Sequence, residues 1–140
     1  MRAIISSIVR TAAILSFTAA QAVTAATSQE LLGNLERSAR TADAAFGGFS
    51  AQRGEQFFKS THGAEWSCAS CHTARPAGPG QHAKTGKAIA PLAPAANAQR
   101  FTDAAKVEKW FRRNCNDVVG RACTAREQGD VLAYLMTVQP

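Results

Sequence analysis

The sequence predicts an all-α fold, and three observations carry that prediction. From Ala26 onward the only Val and Ile residues are Ile89, Val107, Val118, Val119, Val131 and Val138. They are too few and too scattered for the alternation a half-buried strand needs. Alanine, the strongest helix former, is abundant instead. Apolar residues also recur at three- and four-residue spacing in several segments, the period of an amphipathic helix. A chain of 140 residues suits one domain.

The first stretch reads as a targeting segment. Arg2 and Arg10 form a basic n-region, Thr11 to Ala20 a short apolar run, and Ala20-Gln21-Ala22 an A-x-A site. Residues 1–25 are expected to be a cleaved signal peptide, with the cut falling between 22 and 26. The run is too short for a mature bilayer span, so no stable membrane insertion is expected. Export implies the periplasm, where disulfides persist. Loss of Arg2 and Arg10 takes the 16 basic residues to 14 against 10 acidic, a net charge of +4 rather than +6. A mature chain of this size buries only about two-thirds of its unfolded surface, so a crosslink or an apolar body in the core would help it.

Residues 26–49 are expected to form an N-terminal helical extension. Its helix runs from Ser28 to about Ala42, with Leu31, Leu32, Leu35 and Ala39 on one side. Residues 50–140 then form the main domain. A second helix is expected from Ser50 to Ser60. Thr61 to Arg100 reads as irregular and holds four of the five prolines. A loop that long in a compact domain is expected to do something or to wrap something. A third helix runs from Thr102 or Asp103 to about Asn114, with Val107, Trp110, Phe111 and Asn114 at i, i+3, i+4 and i+7. The last runs from Thr124 to Val138. It opens with the capping box Thr124-Ala-Arg-Glu127 and buries Val131, Leu132, Leu135 and Tyr134.

The chemistry lies in Cys68-Ala-Ser-Cys71-His72. C-x-x-C-H is the attachment pattern of c-type haem. Two thiols about one turn apart can form thioethers with the two vinyl groups of one haem, and the imidazole that follows becomes the proximal iron ligand. Two other readings compete. A zinc site would recruit Cys115 and Cys123, but their C-x7-C spacing is not that of a short zinc knuckle. A thioredoxin-like redox pair would need a βαβ setting, which this sequence lacks.

The motif follows Arg53-Gly54-Glu55-Gln56-Phe57-Phe58 on the preceding helix, and this arrangement resembles class I cytochromes c. The resemblance implies three to five helices wrapped around one covalently attached haem. It also implies that the Gly and the aromatic let the first core helix cross the last one closely, near Tyr134 and Leu135. Most small electron-transfer members pair His with Met. Here the region Cys115 to Cys123 has no Met, and Met136 lies within the last helix, where it reads as core filler.

The residues alone leave several sixth ligands open. His62 reads as a loop residue. His82 could make a bis-His site. Lys84 and Lys87 could ligate if deprotonated. Asn114 lies on the apolar stripe, where a buried amide needs a partner, but it could equally cap the helix C-terminus.

The second half narrows the choice. Thr85 to Pro94, Arg100-Phe-Thr-Asp103, Val107-Glu-Lys-Trp110, Arg113-Asn-Cys-Asn116 and Val119-Gly-Arg-Ala-Cys-Thr124 resemble the sphaeroides haem protein family. The similarity covers about Arg53 to Tyr134. It implies axial ligation of the iron by His72 and Asn114, a pocket containing Phe58, Leu92, Trp110 and Phe111, and release of the asparagine on reduction. The opened site would take oxygen or nitric oxide. It also implies a multihaem c-type cytochrome or a membrane b-type cytochrome as electron donor. In that family the asparagine immediately precedes a disulfide cysteine, here Cys115. In an exported chain the two cysteines left over, Cys115 and Cys123, are expected to pair.

Lys84, Lys87, Arg100, Lys106, Lys109, Arg112 and Arg113 cluster in the second half. Such a cluster reads as a solvated face or as a docking face for an acidic redox partner. No nucleic-acid motif or aromatic interleaving is present, so nucleic acid is not an expected partner. A monomer is expected. No acid–base dyad is visible, so any turnover would occur at the iron. The expected function is a periplasmic monohaem cytochrome that receives electrons and binds a diatomic ligand when reduced. The alternative is a simple electron carrier with bis-His or other low-potential ligation.

Overall fold

Two helices cross so closely that one of them must carry glycine at the contact. The computed structural model describes residues 27–140, so the expected signal peptide lies outside the described residues. Helix α2 (Ala51–Lys59) crosses α5 (Ala125–Thr137), and a Cβ on Gly54 would stand 1.9 Å from the carbonyl oxygen of Asp130. Asp130, almost fully buried, fixes the crossing. Its carboxylate accepts the Ser50 N–H at 2.7 Å and the Arg53 Nε and Nη2 at 2.8 and 2.9 Å.

The five helices follow from local signals. α1 (Ser28–Ala42) starts in a full capping box, Thr27 with Glu30, and α5 in another, Thr124 with Glu127. Each box satisfies N–H groups the first turn leaves open. α1 lays Leu31 and Ala39 onto α5, so the N-terminal extension belongs to the same packed body. The core is Leu31, Phe58, Phe101, Val131, Leu132, Tyr134 and Leu135, with Met136 packed against it.

Two expectations need correction. The third long helix, α4 (Ala104–Val119), does not stop at Asn114. It runs five residues further and ends at Gly120, whose left-handed φ of 74° makes it the C-cap. Asn114 is therefore interior to the helix and caps nothing. The stretch from Thr61 to Arg100 is also not wholly irregular. It contains the one-turn helix α3 (Cys68–His72) and a small antiparallel hairpin, β1 (Gly80–Gln81) with β2 (Ala88–Ile89). Apart from that hairpin the described residues are helical or irregular, and the fold is all-α.

Candidate haem centre

The motif sits on α3, a helix of five residues that depends on its cap. Ser67 accepts the Ser70 N–H at 3.2 Å, while the Ser70 hydroxyl accepts the Ser67 N–H at 2.9 Å. The three-residue spacing puts Cys68 and Cys71 on one face. The helix ends at His72 because Thr73 turns into positive φ, at 65°. The hairpin braces this turn. A Cβ on Gly80 would lie 2.1 Å from the Cys71 carbonyl oxygen, and the Ala83 N–H points at Cys71 Sγ from 3.3 Å.

Behind the motif the chain folds back. The Pro76 carbonyl accepts the N–H groups of Leu92 and Ala93 at 2.9 and 3.0 Å. This ties the 90–94 segment, with Leu92, to Pro76, four residues after the histidine. On the other side the Phe58 ring bridges His72 and Tyr134, with ring centroids 6.3 and 5.6 Å away. The imidazole is thus referenced to the α2–α5 crossing.

The electrostatics suit a neutral imidazole and a protonated Cys68 thiol. Burial, with the nearby Arg100 charge adding to it, lowers the His72 pKa to about 4. The ring is then neutral at physiological pH, the state in which imidazole binds metal. Among the described residues it has no hydrogen-bond partner. Burial raises the Cys68 thiol to about 11. A protonated, desolvated thiol is poorly suited to zinc or disulfide exchange. Cys68 and Cys71 are free, whereas Cys115 and Cys123 are bonded to each other, with Cα atoms 5.7 Å apart. The zinc reading therefore loses two of its ligands, and no group of three or more His, Cys, Asp or Glu able to hold a metal ion occurs among the described residues.

α4 carries an apolar stripe, of which Val107 and Phe111 pack against the core cluster. Val107, Phe111 and Asn114 are half-buried and Trp110 is 49% exposed. The principal helix contacts are α2 with α5 and α1 with α5. The apolar stripe of α4 is thus incompletely covered by protein, as is Leu92. Two free thiols one turn apart, a neutral imidazole without a partner and a half-covered apolar wall together fit haem c.

The remaining candidates lie elsewhere. His82 sits in the hairpin beside Cys71, and its Nδ1 faces the N–H groups of Lys84 and Thr85 at 3.2 and 3.4 Å. His62 stacks on Phe57, with ring centroids 4.2 Å apart, and its Nε2 lies 2.8 Å from the Phe57 carbonyl. Lys84 lies over the Trp66 ring at 4.7 Å. Arg100, counted above with the surface charges, instead turns inward onto the carbonyls of Ala90 and Pro91.

The comparisons agree with this architecture. A family model described as a domain of unknown function (DUF1924) matches residues 44–135. Cytochrome c'' of Methylophilus methylotrophus is 50% identical over 80 residues, which are 57% of this chain but only 56% of that one. The cytochrome c-type protein SHP of Cereibacter sphaeroides is 52% identical over 89 residues, 61% of this chain and 68% of SHP. The crystal structure of oxidised cytochrome c'' superposes with a TM-score of 0.72 at 39% identity, covering 81% of this chain and 95% of that one. Oxidised SHP, titled an oxygen-binding cytochrome c, gives 0.70 at 44%, covering 78% and 95%. No helix among the described residues is long and apolar enough to cross a membrane. The chain belongs to the DUF1924 family, and it is a c-type cytochrome of the SHP and cytochrome c'' kind, carrying one covalently attached haem c.

Proposed function

We propose that the chain is an exported cytochrome in which Cys68 and Cys71 carry the haem and His72 and Asn114 are the axial ligands. In this reading the reduced protein binds a diatomic gas, oxygen or nitric oxide. When bound, the haem would supply one-electron chemistry, and the chain's residues would decide which ligand reaches its iron. Electrons come from another periplasmic or membrane-bound cytochrome.

The observation that carries this reading is the place of Asn114. It lies inside α4 on the half-covered apolar stripe, one residue before the disulfide cysteine Cys115. A neutral amide oxygen is a hard, weak donor that suits ferric iron better than ferrous iron. His82 is disfavoured as the sixth ligand because it sits in the hairpin beside Cys71 with its Nδ1 engaged by the Lys84 and Thr85 N–H groups. Met136 packs against the core cluster on α5. SHP, the oxygen-binding relative, supports the gas-binding half of the proposal.

Spectra of the oxidised, reduced and reduced-plus-carbon-monoxide protein test this, on wild type and on Asn114→Ala. Wild type is expected to be high-spin when reduced and to bind carbon monoxide quickly. Asn114→Ala should change the oxidised spectrum and leave the reduced one nearly unchanged. A low-spin reduced spectrum that ignores carbon monoxide would instead establish the simple electron carrier.

A further inference from the structure

The C-x-x-C-H motif lies in the longest stretch of this chain without an acidic residue. From Trp66 to Thr102 there is no Asp or Glu, while Arg75, Lys84, Lys87 and Arg100 fall within it. Arg100 is taken up by the Ala90 and Pro91 carbonyls, and Arg75, Lys84 and Lys87 remain exposed. Among the described residues none of those three takes part in an ion pair. Charges of one sign without partners leave a field that pairing would cancel.

Two of these charges sit on the hairpin that contacts the motif. The His82 N–H donates to the Lys87 carbonyl and the Gly86 N–H to the His82 carbonyl, each at 2.9 Å. The turn is therefore tight, with Lys84 and Lys87 three residues apart on it. The Lys84 Nζ lies over the Trp66 ring, 4.7 Å from its centroid, a cation–π contact that holds this end of the turn against the chain entering α3. The residue before Lys84 reaches the motif itself, since the Ala83 N–H donates to Cys71 Sγ at 3.3 Å. The exposed lysines thus stand on the segment that touches a thiol of the attachment motif.

The basic residues of α4 are set differently. Lys106 pairs with Asp103 at 3.3 Å, and Arg113 lies over the Trp110 ring. Glu108 and Asp117 are exposed on the same helix. Cations interleaved with acids in this way are the pattern of a solvated helix face.

We propose that the hairpin turn, through Lys84 and Lys87, is the docking surface for the acidic face of a one-electron donor protein. The proposal rests on the electron-receiving haem reading set out above and adds where the electron enters. The donor loses one electron and the haem iron gains it, and no bond forms or breaks. Charges at the rim of such a contact act mainly on the rate of encounter and on its salt dependence.

The probe is flavodoxin, an acidic one-electron donor, used without oxygen. It is mixed with full-length holoprotein as wild type, Lys84→Glu/Lys87→Glu and Lys106→Glu/Lys109→Glu, two reversals that change the net charge equally. At an ionic strength of about 0.1 M the Debye length is about 10 Å, so charges near the contact dominate. There the hairpin reversal should slow reduction by reduced flavodoxin about tenfold, and weaken the binding of oxidised flavodoxin in calorimetry by a similar factor. The α4 reversal should change either quantity by no more than about twofold. Equal effects of the two reversals would leave only net charge, and an unchanged rate and affinity in the hairpin variant would move docking elsewhere; either result overturns the proposal. A hairpin variant that keeps the wild-type rate but no longer sediments with phosphatidylglycerol vesicles would assign the patch to a membrane surface and also overturn it. Should the reversal not mature, Lys84→Gln/Lys87→Gln carries the same test with an expected slowing of about threefold. A wild type without the haemochrome α-band would instead defeat the haem attachment itself.

Discussion

Gly80 lies against the backbone of Cys71, with room for no side chain between them: a Cβ would stand 2.1 Å from the Cys71 carbonyl oxygen. The hairpin and the one-turn helix α3 are therefore in direct backbone contact. Gly80→Ala must push one of them away. It should lower stability by about 1–3 kcal/mol, the usual cost of overpacking, and reduce the fraction of chain that acquires haem. Thermal unfolding and the haemochrome-to-protein ratio measure the two effects. Full haem incorporation with an unchanged midpoint would show that the hairpin does not brace the motif.

Asp130 joins the start of α2 to α5 through Arg53 and the Ser50 N–H. Asp130→Ala leaves that N–H and a half-exposed guanidinium without their acceptor. A loss of about 1–3 kcal/mol is expected in denaturant titration. Because the Phe58 ring links this crossing to His72, the haem spectrum should also broaden or shift. A spectrum identical to wild type would separate the crossing from the site.

The Cys115–Cys123 bond ties the last turns of α4 to the residue before the α5 cap. The chain-entropy account gives about 2.5 kcal/mol for so short a loop. Cys115→Ser/Cys123→Ser should lose about that much stability and alter the oxidised spectrum, since Asn114 is the adjacent residue. Lost stability without a spectral change would leave the bond as a plain crosslink.

Glu127 caps α5 and meets Arg121 at 2.6 Å. The Arg121 hydrogen bond, with the Thr124 N–H adding to it, holds its carboxyl below the usual range. A depressed folded pKa means that the stabilisation is present above the unfolded value of about 4.3 and is lost as pH falls through the folded value. Glu127→Gln should therefore be less stable than wild type at pH 7, by about 0.5–1 kcal/mol for a partly exposed pair. The two proteins should converge as pH falls below about 4. A gap independent of pH would remove Arg121 from the account.

Much of this molecule can be read from its sequence because the signals are local. The capping box at Thr124 and Glu127 places α5 to within a residue, and the Leu31, Leu32, Leu35, Ala39 stripe places α1. The end of α4 was harder. Cys115, Asn116 and Asp117 break the visible stripe, although Val118 continues it at the next turn and Gly120 supplies the cap. α3 and the hairpin were not legible. A helix of five residues has almost no periodicity, and strands of two residues depend on the contact between Gly80 and Cys71. Arg100 is the clearest failure. It is held by the carbonyls of Pro91 and Ala90, a contact across a loop that no local periodicity marks.

Both residues proposed to flank the iron stand one peptide bond from a cysteine. His72 follows Cys71, a proposed thioether anchor, and Asn114 precedes Cys115 of the disulfide. Under that proposal each iron ligand would be tied to a covalent bond one residue away. Helix movement is not the cheapest way for such a site to open. If Asn114 holds the iron as proposed, its amide could leave by rotation about its two side-chain bonds, without moving the backbone on either side. Such an opening would be a side-chain swing, fast compared with the repacking of a helix.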